Sequence, residues 1–272
     1  MGAFLKAALL AALVAQPALT VDRDAAIITI LVKPDQAKSF EHVLDKLKSS
    51  LQRSTNPRRR AQAAGWQVFR TDEQVQGHAS YVMRLDPVAG DLDYDIPRIL
   101  SEELPNEAAE LTRAYREAHV GRSMLMMTRL EVPGLGEPGR DQDSAAVAPA
   151  RPPVLSFDSA QAVVITVLIR PERTADFEAT LSQLAKALQA SATPGRKLQA
   201  AGWKVYKGTQ PFGGNIPYVV SLDPVVHRVE YDPMRLIQET YPAEVDALFK
   251  KYREAYVGQA ISRLTGRIEM HR

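Results

Sequence analysis

The chain is written twice. Gln62-Ala63-Ala64-Gly65-Trp66 returns 137 positions later (199 − 62) as Gln199-Ala200-Ala201-Gly202-Trp203. The same offset pairs Pro34 with Pro171, Phe40 with Phe177, Pro57 with Pro194 and Tyr81 with Tyr218. It also pairs Leu85-Asp86-Pro87-Val88 with Leu222-Asp223-Pro224-Val225, Tyr94-Asp95 with Tyr231-Asp232, Pro105 with Pro242, and Tyr115-Arg116-Glu117-Ala118 with Tyr252-Arg253-Glu254-Ala255. Solenoid and propeller units run to about 20–50 residues, so this longer period means two copies of a small domain. Val132 to Ala160 lies between them and is rich in proline, glycine, alanine and small polar residues, a composition that supports no regular element. The reading divides the chain into a leader over 1–20, a first repeat over 25–132, a linker over 133–160 and a second repeat over 161–272.

An apolar fraction of 45% supports folded cores, in contrast to a disordered polyelectrolyte. With 34 basic and 32 acidic side chains, the net charge of +2 is too small for the phosphate-binding field of a nucleic-acid protein. No nucleic-acid partner is expected. The absence of cysteine excludes disulfides, thiolate nucleophiles, iron–sulfur clusters and cysteine-ligated zinc.

The first twenty residues, MGAFLKAALLAALVAQPALT, place one cation, Lys6, before an apolar run from Ala7 to Ala15. That is the form of a secretory signal peptide, and it is too short to span a bilayer. Cleavage is expected near Ala15, Ala18 or Thr20, with export to the periplasm or the exterior and no stable membrane span afterwards.

Each copy reads β-α-β-β-α-β. Ala26–Val32 and Val163–Ile169 are β-branched runs apolar on both faces, as in a strand buried on both sides. Pro34 and Pro171 end them. Phe40, Val43, Leu44, Leu47 and Leu51, matched by Phe177, Leu181, Leu184 and Leu188, form the stripe of an amphipathic helix. A short helix follows, N-capped by Asn56 or Thr193 with proline in its first turn and stopped by Gly65 or Gly202. Strands at 66–70 and 81–85, and at 203–207 and 218–222, form hairpins. Asp95 and Asp232 read as N-caps of a second helical region, and strands at 123–132 and 260–270 close each copy. The class is α+β, built of two tandem ferredoxin-like repeats. Helices cover one sheet face of each repeat, so packing sheet to sheet as a pseudo-dimeric α/β barrel satisfies the other. One chain is then its own pseudo-dimer and is expected to be a monomer.

This order of elements resembles a fused pair from the dimeric α/β-barrel superfamily, which includes antibiotic-biosynthesis-type monooxygenases. The likeness rests also on the strand entry Gly65-Trp66-Gln67-Val68-Phe69, repeated as Gly202-Trp203-Lys204-Val205-Tyr206, and on the Leu-Asp-Pro-Val strand exit. It implies a fold and a cavity between the repeats, without a reaction. Relatives that oxidise without a cofactor place an aromatic, an asparagine and a histidine around their substrate. No such pair occurs in both copies here, since His78 corresponds to Asn215.

The residues that this reading offers to a ligand are Trp66, Tyr81, Arg84, Trp203 and Tyr218. The tryptophans are able to stack on it or simply anchor helix to sheet, and the tyrosine hydroxyls to reach the cavity as hydrogen-bond donors or acids. Arg84 alternates with Tyr81, Met83 and Leu85 and so points to the other face; its counterpart is Ser221. No histidine is duplicated and no metal-binding spacing exists among His42, His78, His119, His227 and His271. No metal and no cofactor are expected. Arg58-Arg59-Arg60 reads as an exposed helix end, and Arg98 with Glu102 and Arg235 with Glu239 as surface i,i+4 pairs.

The sequence thus points to an exported protein that binds a small apolar or aromatic molecule in the cavity between its repeats or scaffolds an interaction, with no catalytic set identified. The alternative is a cofactor-independent oxygenase or isomerase using Tyr81, Tyr218 and Arg84. A third reading is a haem enzyme using His119 or His227.

Overall fold

Apolar residues on both faces of Ala25–Val32 produce a strand, β1, that is buried almost throughout. The computed structural model describes residues 19–87, 92–136, 152–193 and 195–271. The leader through residue 18, Val88, the middle of the linker and Pro194 lie outside the described residues. After one tight turn at Pro34–Gln36 come α1 (Ala37–Arg53), α2 (Pro57–Ala64), β2 (Trp66–Thr71), β3 (Ala79–Leu85), α3 (Ile96–Glu103), α4 (Ala108–Ala118) and β4 (His119–Leu130). The second copy repeats this as β5 (Ala162–Ile169), α5 (Thr174–Ala190), α6 (Arg196–Ala201), β6 (Trp203–Gly208), β7 (Ile216–Leu222), α7 (Pro233–Thr240), α8 (Val245–Ala255) and β8 (Tyr256–Glu269). No helix among the described residues is long and apolar enough to cross a membrane.

The chain forms two compact units. The first holds the described residues up to Thr128 together with Leu264–Arg272, and the second is Arg129–Arg263. In the first unit β1 lies between β3 and β4, β2 pairs with β3, and Leu264–Glu269 of β8 pairs along β2, all antiparallel. In the second unit β7 joins β5 to β6, again antiparallel. Each strand order is that of the ferredoxin-like α+β unit expected from the sequence.

Three local features differ from expectation. Both closing strands begin directly at the helix end, at His119 and Tyr256, because those residues already adopt extended backbone as C-caps. Asn56 caps α2 through the Arg58 amide, whereas α6 starts two positions later than its counterpart, behind Gly195 at φ 84°. The linker is shorter than its composition suggests. Val132, Leu135, Phe157 and Ala160 are all buried in the core of the second unit.

The repeated Gln-Ala-Ala-Gly-Trp motif is explained by packing. Gln62 and Gln199 are buried and donate through Nε2 to the carbonyls of Asp93 (2.8 Å) and Glu230 (2.7 Å). Ala63 and Ala200 face the core, as do Trp66 and Trp203. Gly65 and Gly202 have ordinary backbone, φ −94° and −77°, so the left-handed cap expected of a helix-stopping glycine is not their role. A Cβ at either position would collide with the carbonyl oxygen of Pro87 or Pro224. Only glycine lets the strand exit pass this close.

Arg58-Arg59-Arg60 also departs from an exposed helix end. Arg59 is buried; Nη1 donates to Gln62 Oε1 (2.6 Å) and the Asp93 carbonyl (3.1 Å), and Nη2 to Glu102. Its counterpart Arg196 does the same with Gln199 (2.8 Å), the Glu230 carbonyl (3.3 Å) and Glu239 (2.7 Å). Arg98 keeps its i,i+4 contact with Glu102 at 3.6 Å, but Arg235 turns to Glu230 at 3.8 Å.

Candidate functional site

Strand alternation gives the first unit's sheet two chemically different faces. Ala26, Ile28, Ile30, Val32, Trp66, Val68, Tyr81, Met83 and Leu85 pack in one core with α1, α3 and α4. The opposite face presents Ile27, Leu31, Phe69, Val82 and Met127, which are buried but stand outside that core. Among them lie Ser80 and Arg84, also buried. Arg84 is cross-strand from Gln67 and donates to its Oε1. The Arg84 guanidinium sits 5.6 Å from the centre of the Phe69 ring, and that of Arg267 sits 5.2 Å from the same centre. Arg267 lies 3.5 Å from Glu269, whose register partner is Gln67. This face therefore brings two guanidinium groups, one carboxylate, one amide and a phenyl ring together over an apolar floor. Guanidinium forks suit planar anions, and cations gain by facing an aromatic ring.

The four aromatic candidates are elsewhere. Trp66 and Tyr81 belong to the helix-side core of the first unit, and Trp203 and Tyr218 to that of the second. Tyr81 was expected to reach a cavity; its hydroxyl instead donates to Glu41 on α1 at 2.6 Å, with Arg70 3.6 Å from the same carboxylate. Tyr218 donates to Glu178, which also accepts from Lys207 at 2.9 Å. Burial first, then the carboxylate hydrogen bond, pushes both phenols above their ordinary value. That is the wrong direction for a proton donor at neutral pH. The tryptophans meet Tyr94 (5.4 Å, edge-on) and Tyr231 (6.0 Å, stacked), as helix-to-sheet anchors do. Of the five, Arg84 alone is on the second face.

Phe69, Gln67, Arg267 and Glu269 were missed. Strand alternation would have put Gln67 and Phe69 on the face of Arg84. Arg267 and Glu269 were hidden by a bulge: Gly266, at φ 55°, is an added residue where the pairing of β8 with β2 shifts register. Allowing for it, Arg267-Ile268-Glu269 matches Arg129-Leu130-Glu131, and the latter pair has its own 3.0 Å contact. In the second unit the counterparts of Arg84 and Gln67 are Ser221 and Lys204, cross-strand neighbours, so the cation has moved one strand over.

A second polar cluster is specific to the first repeat. Asp95 does not cap α3 with its side chain; it takes Arg122 at 2.9 Å. Asp232, whose sequence counterpart for Arg122 is Gln259, caps α7 through the Arg235 amide at 2.9 Å. Tyr115, hydrogen-bonded to Arg122 and pushed up to about 12 by burial, stacks on His119 at 5.3 Å. His119 Nε2 is buried with no hydrogen-bond partner among the described residues. His227 is exposed in the turn before α7. No group of three or more histidine or acidic residues able to hold a metal occurs among the described residues.

Burial, then the Arg122 charge, lowers the His119 pKa from its ordinary 6.5, with Asp95 opposing. The unfolded chain therefore binds this proton more readily than the folded one. Stability should be intact above pH 6.5 and fall as pH drops below it through the lowered value. Replacing His119 by tyrosine, its counterpart in the second repeat, should flatten that part of the profile. Thermal midpoints of the two proteins between pH 7.5 and 5 should diverge toward acid by roughly 2 °C or more; parallel curves would remove His119 from the account.

No protein-family model and no curated protein matches the chain. Among solved structures it is similar to a monooxygenase candidate from Lactobacillus acidophilus NCFM, at 7% identity and TM-score 0.44, over 91% of this chain and 97% of that one. It is also similar to a variant of chlorite dismutase from Candidatus Nitrospira defluvii, at 10% identity and TM-score 0.39, over 90% and 93% of the two chains. The imidazole complex of the same enzyme matches at 9% identity and TM-score 0.40, over 90% and 93%. Likenesses this distant carry nothing about activity.

Proposed function

We propose that this is an exported binding protein whose site is the second face of the first unit's sheet, and that it takes a small apolar or aromatic molecule bearing an acidic group. The placement of the Phe69 ring within 6 Å of both Arg84 and Arg267, beside the buried apolar side chains of the same face, carries this reading. Ile27, Leu31 and Val82 offer apolar surface to the body of the ligand. Arg84, held in place by Gln67, offers a planar fork to its anion.

Native mass spectrometry with an absorption spectrum, on protein purified after export, asks first what the protein retains. A retained organic acid supports the reading, and a Soret band would replace it with haem binding. The direct test compares naphthoate with naphthamide. Wild type should bind naphthoate, and Arg84→Gln should weaken that binding about tenfold or more while leaving naphthamide unchanged, as expected when one buried charge-assisted hydrogen bond is lost. No binding of either compound to wild type sinks the proposal.

A further inference from the structure

The first repeat begins before the strand that opens its β-α-β-β-α-β pattern. Leu19 and Val21 are 3% and 1% exposed and belong to the core of the first unit. Thr20 bridges Asp93, and the Leu19 carbonyl accepts from the Tyr94 amide at 3.1 Å. The second repeat supplies an internal comparison. There the Leu155 carbonyl accepts from the amide of Tyr231, the counterpart of Tyr94, at 2.8 Å. Phe157 takes the place of Val21, 1% exposed and 5.2 Å from the Tyr231 ring. Glu230, the counterpart of Asp93, fastens that segment by accepting from the Val154 and Leu155 amides at 2.8 and 3.0 Å. The two segments share the pattern Leu-x-[apolar]-Asp, in Leu19–Asp22 and Leu155–Asp158. A segment present in both copies, in the same hydrogen bond and the same core, belongs to the domain.

This bears on where the leader ends. The sequence leaves Ala15, Ala18 and Thr20 as cleavage positions, and a cut after Thr20 would remove Leu19 and Thr20, both of which the domain uses. Resting on the reading of the first residues as a signal peptide, we propose that the leader is removed upstream of Leu19, so that Leu19 to Asp22 stay with the domain they complete. Water hydrolyses the peptide bond that is cut, leaving a carboxylate on the leader and an ammonium on the first residue of the mature chain. Cleavage precedes folding, so the burial of Leu19 does not protect the bond; it determines which product folds fully.

The intact mass of the full-length gene product recovered from the periplasm tests the site. A chain beginning at Leu19, or at Gln16, supports the proposal; one beginning at Val21 or later overturns it, and an uncleaved chain overturns both it and the export reading. A second measurement does not depend on export. Chains made in the cytoplasm to begin at Leu19 and at Asp22 should differ in thermal midpoint by roughly 8 °C, the shorter being less stable, because two buried apolar side chains and a backbone hydrogen bond are lost. Equal midpoints would show that the domain does not need the segment and would overturn the argument for the site.

Discussion

Gly65→Ala is expected to cost the first unit about 3–4 kcal/mol, a large fraction of the stability of a domain this size. The added methyl would land on the carbonyl oxygen of Pro87, which is backbone and has no rotamer to yield. The turn is further tied by the Asp86 amide, which donates to the Gly65 carbonyl at 2.8 Å, so relief requires breaking that bond or displacing the end of β3. Either response disturbs the register pair Trp66 and Leu85, both fully buried. Gly202→Ala should act alike in the second unit, against Pro224 with the Asp223 amide in the same role. Gly77→Ala is the control: at φ 78° with no atom within 4 Å of the added carbon, it meets only left-handed strain, roughly 1–2 kcal/mol. Urea unfolding of the three variants should rank them in this order. A Gly65→Ala protein as stable as Gly77→Ala would mean that the strand exit moves freely.

Arg196→Ala, with Arg59→Ala in the other repeat, is expected to lose about 3 kcal/mol. Each guanidinium is buried and holds a glutamine, a loop carbonyl and a carboxylate at once. Removing it leaves Gln199 Oε1 buried without its donor, and the desolvation cost of such groups exceeds the net value of the bonds themselves. The partner carboxylates are partly open to water, 45% exposed at Glu102 and 38% at Glu239, so Glu102→Gln and Glu239→Gln should cost only about 1 kcal/mol. Lysine in place of either arginine should not restore the loss, because a point charge cannot serve three acceptors in a plane. Arg58→Ala, on the exposed side of the same helix, should change stability by less than about 0.5 kcal/mol. Equal effects at positions 58 and 59 in urea titrations would contradict the clamp.

Much of the fold was legible because it follows local rules. β-branched runs, prolines at strand ends and the stripe from Phe40 to Leu51 all act through neighbours a few residues apart, and every strand and helix they implied is present, with ends moved by a few residues. The candidate site was less legible. Arg84 was placed on its face by alternation alone, but its partners come from two other strands, and one of those carries the bulge at Gly266 that defeats a fixed offset. Tyr81 and Tyr218 looked like ligand contacts because a strand tyrosine is able to serve either face; only packing against Phe40 and Phe177 shows which one was taken.

By itself the sequence determined that its motifs return at a fixed offset, the order of the elements and the leader-like character of the first residues, since repetition and periodicity survive without coordinates. Only the tertiary structure decided that Arg59 is a buried clamp while Arg58 is exposed, that Asp95 serves Arg122 while Asp232 caps a helix, and that two guanidinium groups come within 6 Å of the Phe69 ring. The reason is the same in each case. Burial and pairing depend on residues brought together from positions far apart in the chain, such as Arg59 and Glu102, or Phe69 and Arg267, and that distance has no periodic trace in the sequence.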